Sequence, residues 1–192
     1  MEKLNLIGAQ PFETKRCRLR TFKLGDAEYV YKNYASSDNV TRYLSWESHQ
    51  SLDDSREFCR RMAAEGRKPD SFIWVIELME TGEPIGSIGA VETDTEKRQA
   101  QLGFCLGEEW WDQGIMSECA EGVIAYLFFV AGFDTLTAWR HRDNVASGRV
   151  LEKCGMEKCG EDTVYLELKD REVPAVRYRL TGKDWAAKNL RF

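Results

Sequence analysis

The chain has 192 residues, of which 43% are hydrophobic and 31% charged, a composition typical of a folded globular protein and not of a disordered one. Its net charge of −5 argues against a dedicated nucleic-acid-binding protein, and its longest apolar run, residues 123–131, is too short to cross a bilayer. The first residues show no secretory signal. The sequence therefore predicts one cytoplasmic domain spanning residues 1–192, with neither nucleic acid nor membrane as a partner.

The first half of the chain contains both helical and strand-like patterns. Ser51 is a predicted N-cap, because its hydroxyl can accept a hydrogen bond from the first turn of the helix that follows. The turn sequence Glu80-Thr81-Gly82-Glu83 joins two segments rich in β-branched and aromatic residues into a predicted hairpin. In chain order the predicted elements are a strand at 15–22, helices at 27–34 and 53–64, and strands at 72–78, 84–91 and 100–106.

Helical spacing dominates the next segment, where Ile115, Cys119, Val123 and Leu127 recur every four positions and form one apolar face. The predicted elements of this half are a helix from 115 that ends at Gly132, a strand at 135–139, a helix at 146–154, and strands at 164–168 and 173–180. Their order predicts an α+β fold: a central, twisted, mixed and mostly antiparallel sheet with helices on both faces.

Two of the predicted helix starts carry the most specific residues. Trp110 to Glu118 reads as a tight turn around Gly114 followed by the long helix, and Asn144 to Ser147 opens the next helix. The first N–H groups of a helix have no intrahelical partner and lie at the positive end of its dipole, so they bind anions well. Two such starts side by side predict a site for a phosphate-bearing cofactor.

These segments resemble the GNAT superfamily of acyl-CoA-dependent N-acyltransferases. The family's turn motif corresponds to Trp111-Asp112-Gln113-Gly114-Ile115-Met116, and the branch that acetylates ribosomal-protein N-termini (the alanine acetyltransferases among them) is the most similar. That branch shows Asn-x-x-Ser, here Asn144 to Ser147, and Lys-x-Gly-[Phe/Met], here Lys153 to Met156. Its opening strand matches Thr14 to Arg20, so the resemblance covers roughly residues 14–185.

The resemblance implies an N-acetyltransferase that moves an acetyl group from acetyl-CoA to a primary amine such as a protein N-terminus, with no metal. In the family, the strand before the turn splays at a bulge, which places the expected bulge at residues 104–107. The expected cofactor-binding residues are Phe104, Leu106, Gln113, Gly114, Ile115, Met116, Ser117, Asn144 and Lys153. Ser147 is the expected general acid at the thiol; its alternative role is a hydroxyl on the helix face. Asn144 is expected to bind pantetheine and also to cap its helix.

Two departures from the family pattern concern charge. Asp112 stands where Gly is common, and Glu108, Glu109 and Glu118 add negative charge near the expected pyrophosphate. Cations that could offset this repulsion are Arg140, His141, Arg142, Arg149 and Lys153; without one close by, weak cofactor affinity is expected. The other departure is Gln101, on a strand where the family often has a catalytic Glu, because an amide cannot accept a proton near neutral pH.

The general base is therefore open among Glu92, Glu118 and Glu167, or a water chain that ends on one of them. Glu118 has an alternative role in the first turn of its helix, where a carboxylate stabilises the dipole. Glu167 is expected on a late strand that faces the acceptor. His49 is expected in a solvated loop, with a position bordering the acceptor as its alternative, and His141 is expected at the surface; Tyr43 and Trp46 either pack in a loop or line the acceptor pocket.

Other features leave alternatives open. A non-catalytic acyl-CoA-binding or regulatory module on the same fold is the alternative function. The six cysteines are expected to be buried thiols, with Cys154 and Cys159 the pair close enough in sequence to raise a redox question. An exposed strand edge near the C-terminus is expected to allow a homodimer.

Overall fold

One eight-stranded sheet organises the chain in the computed structural model, which describes residues 3–189; residues 1, 2 and 190–192 of the predicted domain lie outside the described residues. The strands are β1 (Phe12–Glu13), β2 (Cys17–Arg20), β3 (Phe72–Leu78), β4 (Glu83–Asp94), β5 (Gln99–Leu106), β6 (Thr135–His141), β7 (Glu157–Leu166) and β8 (Arg171–Thr181). Their order in the sheet is β1-β2-β3-β4-β5-β6-β8-β7. Within residues 3–189, β5 and β6 form the one parallel pair, which confirms a mixed, mostly antiparallel sheet.

Helices cover both faces of this sheet. They are α1 (Ala27–Val30), α2 (Asp38–Thr41), α3 (Leu52–Glu65), α4 (Ile115–Ala125), α5 (Val145–Lys153) and α6 (Gly182–Asn189); α1 continues as a π-helical turn over Tyr31–Ala35 and α4 over Tyr126–Val130. Successive side chains of a strand point to opposite faces, so Trp74 packs in one core with α4 and α5, and Val75 in the other with α1 and α3. The α+β prediction is confirmed. None of the helices in residues 3–189 is long and apolar enough to cross a membrane.

Most predicted elements are confirmed, and the errors lie at their ends. The predicted strand 15–22 is shortened to β2, because Thr14 and Cys17 close a turn: the Thr14 N–H donates to the Cys17 carbonyl at 2.8 Å and the Cys17 N–H donates to Thr14 Oγ1 at 3.1 Å. The predicted strand 164–168 overlaps β7 at residues 164–166, but β7 begins earlier, at Glu157, and Glu167–Lys169 forms a 3₁₀ turn. Strand β7 is an exposed edge rich in charged residues, so it carries no alternating apolar pattern.

Three short or terminal elements were not predicted: β1, α2 and α6. The first two have two and four residues, too few to show a period. Helix α2 is nevertheless capped in the usual way, by Ser37 Oγ accepting from the Val40 N–H at 3.3 Å. For the cysteines, the expectation of buried thiols is confirmed except at Cys159, which is exposed on β7.

Candidate active site

A split between β5 and β6 opens the site. The two strands pair only from Gln99 and Thr135 to Leu102 and Ala138, after which β6 continues along β8 as far as His141. Just beyond β5 the Gly107 N–H donates to Ile85 on the β4 side at 2.9 Å. Because main-chain groups alternate between the edges of a strand, those of Phe104 and Leu106 face the split.

The register shift of this region lies in a different strand from the one expected. Residues 104–107 keep regular pairing with β4, and the bulge is at Val91 on β4, between the pairs Ala90–Leu102 and Glu92–Gln101. The expectation of a bulge at 104–107 is therefore wrong, although the strand does leave β6 there. The extra residue is inserted in β4, the antiparallel partner of β5, so the pairing of β5 itself is not interrupted.

Helix α4 begins at one end of this split. Gly114 is its N-cap, with a left-handed φ of 75° that disfavours any residue with a Cβ, and no side chain caps the helix. The first main-chain bond runs from the Glu118 N–H to the Gly114 carbonyl at 3.1 Å. The N–H groups of Ile115, Met116 and Ser117 precede this bond, so they remain available to an anion.

An ion pair anchors this helix start to β2. Arg16 Nε donates to Glu118 Oε2 at 2.7 Å, its Nη1 donates to the Gln113 carbonyl at 2.9 Å, and Thr14 Oγ1 donates to Glu118 Oε1 at 2.6 Å. Burial alone would raise the pKa of the Glu118 carboxyl, but the hydrogen bonds from Thr14 and Arg16 outweigh it and hold that pKa below its usual value. Glu118 is thus an ionised structural partner, which removes it from the candidates for the general base.

Most of the acidic side chains near the turn do not line the main cavity. Both carboxylate oxygens of Glu108 accept from the segment before and within α2, from Ser37 and from Asn39 at 3.1 Å. Glu109 lines a smaller neighbouring cavity. Of the four acids that raised doubt about cofactor affinity, only Asp112 lines the main cavity, where Arg140, Arg149 and Lys153 also lie. Repulsion of an anion is accordingly smaller than the sequence implied.

The start of α5 forms the opposite wall. Asn144 Oδ1 accepts from the Ser147 N–H at 3.2 Å, which confirms the capping role of Asn144. Under this helix, Arg140 Nε donates to Tyr178 Oη at 3.3 Å, and Tyr178 Oη donates to Glu152 Oε1 at 3.1 Å. A Cβ at Gly148 would lie 2.6 Å from Arg140 Nε, so the glycine allows α5 to lie close to β6. This packing fixes the height of Ser147 above the sheet.

A cavity of about 950 Å³ joins these elements through the split. On the α4 and α5 side it is lined by Ser117 and Ser147, and on the α1 and α2 side by Tyr43 and Trp46. Because it reaches both faces of the sheet, one ligand can enter from each side and the two can meet at the split. Of the sequence-predicted site residues, ten line this cavity: Phe104, Leu106, Gly114, Ile115, Met116, Ser117, Asn144, Ser147, Lys153 and Glu167.

Gln113 is the exception. Its side-chain amide donates to the Glu109 carbonyl at 2.7 Å, and the residue lines the smaller cavity, which also includes Lys15 and Arg16. The reason is the left-handed φ of 57° at Asp112, which reverses the chain just before Gln113 and leaves Asp112 on the main-cavity side.

The two histidines differ from their expected solvated positions. His49 Nδ1 lies 2.7 Å from Ser55 Oγ and its ring packs against Trp46 and Phe58, so burial lowers the pKa of His49 and the residue is structural. The His141 ring is tilted by 31° against the Tyr43 ring, with the ring centroids 4.8 Å apart, and the residue lines the main cavity. Its Nδ1 accepts from the Asp143 N–H at 3.1 Å, which leaves Nε2 as the side of the ring that can bind a ligand.

No group of three or more His, Cys, Asp or Glu side chains within residues 3–189 is arranged to hold a metal ion. The polar groups that line the cavity include the acids Glu92 and Glu167 and the hydroxyls of Ser117 and Ser147. The structure thus combines a split mixed sheet, the free N-terminus of α4 on one side of it and a pocket on the opposite face.

Comparison with known proteins gives the family. A family model described as an acetyltransferase (GNAT) domain matches residues 16–157. The uncharacterised N-acetyltransferase YoaA of Bacillus subtilis is 34% identical over 148 residues, which cover 77% of this chain and 83% of the relative. The chain therefore belongs to the GNAT family of acetyltransferases.

Solved structures agree with the fold. A ribosomal-protein alanine acetyltransferase from Vibrio fischeri superposes with a TM-score of 0.73 at 20% identity, covering 92% of this chain and 98% of that one. RimL, a ribosomal alpha-N-protein acetyltransferase in complex with coenzyme A, gives a TM-score of 0.76 at 15% identity, covering 90% and 98%. At these identities the likeness concerns the fold alone.

Proposed function

We propose that this protein transfers the acetyl group of acetyl-CoA to a primary amine. The observation that carries the proposal is the cavity through the split between β5 and β6, which connects the free N–H groups of α4 to a pocket on the opposite face. A structural neighbour, RimL, is in complex with coenzyme A, which supports the same ligand here. Calorimetric titration with acetyl-CoA tests the first half of the proposal, and absence of binding at millimolar ligand would refute it.

The residues present fit such a ligand. The N–H groups of Ile115, Met116 and Ser117 are placed to bind its pyrophosphate, and Lys153 and Arg149 supply positive charge from α5. The main-chain groups of Phe104 and Leu106 would bond the pantetheine, although the Leu106 carbonyl already accepts from the Trp111 indole at 2.7 Å. When bound, acetyl-CoA supplies an activated acetyl group at the split.

Ser147 is proposed as the general acid. It lies in the first turn of α5 and lines the cavity, where its hydroxyl can donate a proton to the departing thiolate and recover one from solvent. We expect Ser147→Ala to lower kcat by roughly tenfold, less than a general acid usually contributes because water can replace the hydroxyl. Ser147→Cys should restore part of kcat, since a thiol also donates a proton, while a purely structural role would show no such difference between the two variants.

Glu92 is proposed as the general base. It is paired with Gln101 across the bulge, and directly opposed residues of antiparallel strands share a face, so it supplies a carboxylate beside the position where the family often has one. Both residues line the cavity, as does Glu167 on the 3₁₀ turn. Glu167 is proposed to hold the ammonium form of the acceptor before its proton is removed.

Replacing Glu92 and Glu167 one at a time by glutamine distinguishes their roles. We expect Glu92→Gln to lower kcat by roughly thirtyfold. This is less than a general base usually contributes, because Glu167 and water can accept the proton in its place. Glu167→Gln should mainly raise KM for the amine. The measurement is a thiol-release assay from pH 6 to 10 in both variants; equal effects on kcat would contradict the assignment.

Two kinds of primary amine are candidates for the acceptor: the N-terminus of a protein and a small amine. A protein N-terminus is the candidate suggested by RimL and by the Vibrio fischeri enzyme, both described as ribosomal-protein acetyltransferases.

A non-catalytic acyl-CoA-binding module is the competing function, favoured by Gln101. Saturable binding of acetyl-CoA without thiol release across peptides, polyamines and small aromatic amines would establish the module and refute the enzyme.

A further inference from the structure

A buried lysine joins the two sides of the acceptor pocket. Lys169, at the end of the 3₁₀ turn between β7 and β8, donates from Nζ to the main-chain carbonyl of Thr41 at 2.9 Å. Its side chain is only 3% exposed, and the carboxylate of Glu47 lies 3.8 Å from Nζ on the solvent side. Thr41 is the last residue of α2, so the bond connects segments 128 residues apart in sequence.

These two segments are opposite walls of the pocket. Val40 and Tyr43, on either side of Thr41, line the cavity, and so do Glu167 and Leu168, just before Lys169. Thr41 and Lys169 themselves do not line it, which places their bond behind the walls, where the two segments meet. The bond therefore joins the two parts of the wall, and the pocket does not continue between Thr41 and Lys169.

More than one interaction holds the Lys169 ammonium in this position. Burial lowers the pKa of the Lys169 ammonium, and Glu47 partly offsets this effect. A buried ammonium that loses its acceptor is costly, so a ligand that forced the walls apart would have to compensate for the broken bond to Thr41. Hydrogen bonding thus resists the passage of a chain through this end of the pocket.

The lining indicates what the closed pocket accepts. Several exposed large apolar side chains line the cavity, among them Val91, Tyr165 and Leu168, and Leu168 is 74% exposed. The rings of Tyr43 and Trp46 line the same side. An exposed apolar patch on a pocket wall is typical of a binding site for an apolar group, and Glu92 and Glu167 add the negative charge that an ammonium requires.

We propose that the acceptor is a small primary amine that carries one apolar or aromatic group, and that Lys169 excludes polypeptide N-termini by closing the pocket against Thr41. This inference rests on the proposed acetyl transfer for its chemistry, but it also concerns binding alone. It assigns Lys169 as a specificity-determining residue that acts by holding the walls and does not touch the reacting atoms.

Acceptor choice is tested with three amines of different size: tyramine, spermidine and a tetrapeptide with a free N-terminus. We expect kcat/KM for tyramine to exceed that for the peptide by at least about tenfold, which corresponds to one or two apolar contacts. In Lys169→Met, which keeps the apolar stem, the peptide-to-tyramine ratio should rise by roughly tenfold with the affinity for acetyl-CoA unchanged. An unchanged ratio in a folded variant would overturn the role of Lys169.

Binding without turnover keeps this inference separate from the proposed function. Trp46 lines the pocket, so quenching of tryptophan fluorescence reports amine binding in the presence of coenzyme A. Tyramine that binds while none of the three amines is acetylated would refute the transferase and leave the pocket assignment intact. A peptide that binds as tightly as tyramine would refute the pocket assignment. Glu47→Gln is the comparison variant: it removes the exposed charge that partly offsets the burial of Lys169 but keeps the bond to Thr41, so it should change the acceptor ratio less than Lys169→Met does.

Discussion

Gly114→Glu is expected to lower the affinity for acetyl-CoA by roughly 150-fold, which corresponds to about 3 kcal/mol. A carboxylate about 4 Å from a phosphate is repelled by about 4 kcal/mol at the effective dielectric constant of a protein surface, and salt reduces this value. The Cβ of the new residue would lie 3.8 Å from Arg16 Nη2, so its carboxylate would also compete for the cation beside the turn. Isothermal titration calorimetry gives the affinity directly.

Gly82→Glu is the control for backbone strain. Gly82 lies in the turn between β3 and β4 with a φ of 72°, against 75° for Gly114, and a Cβ there would meet no atom within 4 Å. The two variants carry the same strain and the same added charge, but only Gly114 is at the start of α4. If both variants lost affinity equally, or if neither did, the pyrophosphate site would have to lie elsewhere.

The parts of the site that could be predicted from the sequence are those set by neighbouring residues. A glycine with a left-handed φ before an apolar helix, and an asparagine that caps the next helix, depend on a few consecutive positions, and the structure places Gly114 and Asn144 on the same cavity. Strand β3 has the predicted bounds, because its apolar and β-branched residues are flanked by clear turns.

The parts that could not be predicted depend on contacts between distant segments. Arg16 and Glu118 are 102 residues apart, so no local pattern pairs them, and from the sequence alone Glu118 is a candidate base. Lys169 and Thr41 are still farther apart in sequence. The acceptor of their hydrogen bond is a main-chain carbonyl, a group that every residue carries, so no residue type predicts it. Gln113 lines the smaller cavity and not the main one. The sequence does not predict this, because the φ of Asp112 is not determined by its side chain.

Arg20→Met is expected to lower the free energy of unfolding by about 3–5 kcal/mol, the usual cost of removing one partner from a buried ionic network. Arg20 is 8% exposed and donates from Nη1 and Nη2 to the two oxygens of Asp26, each at 2.8 Å, and from Nε to Glu77 at 2.6 Å. Burial alone would lower the pKa of Arg20, but both carboxylates outweigh it and raise that pKa. The variant would leave Asp26 buried with only the Lys23 N–H as donor.

Arg18→Met is the matched control, because Arg18 lies on the same strand, also contacts Glu77, and is exposed. Exposed ion pairs contribute little, so urea denaturation should show a midpoint close to that of the unaltered protein for Arg18→Met and a much lower one for Arg20→Met. Adding Asp26→Asn to Arg20→Met should recover part of the loss, since a neutral amide is less costly to bury unpaired. Equal midpoints for the two arginine variants would show that the network is hydrated, and the entry into α1, which Asp26 precedes, would then have to be held by packing alone.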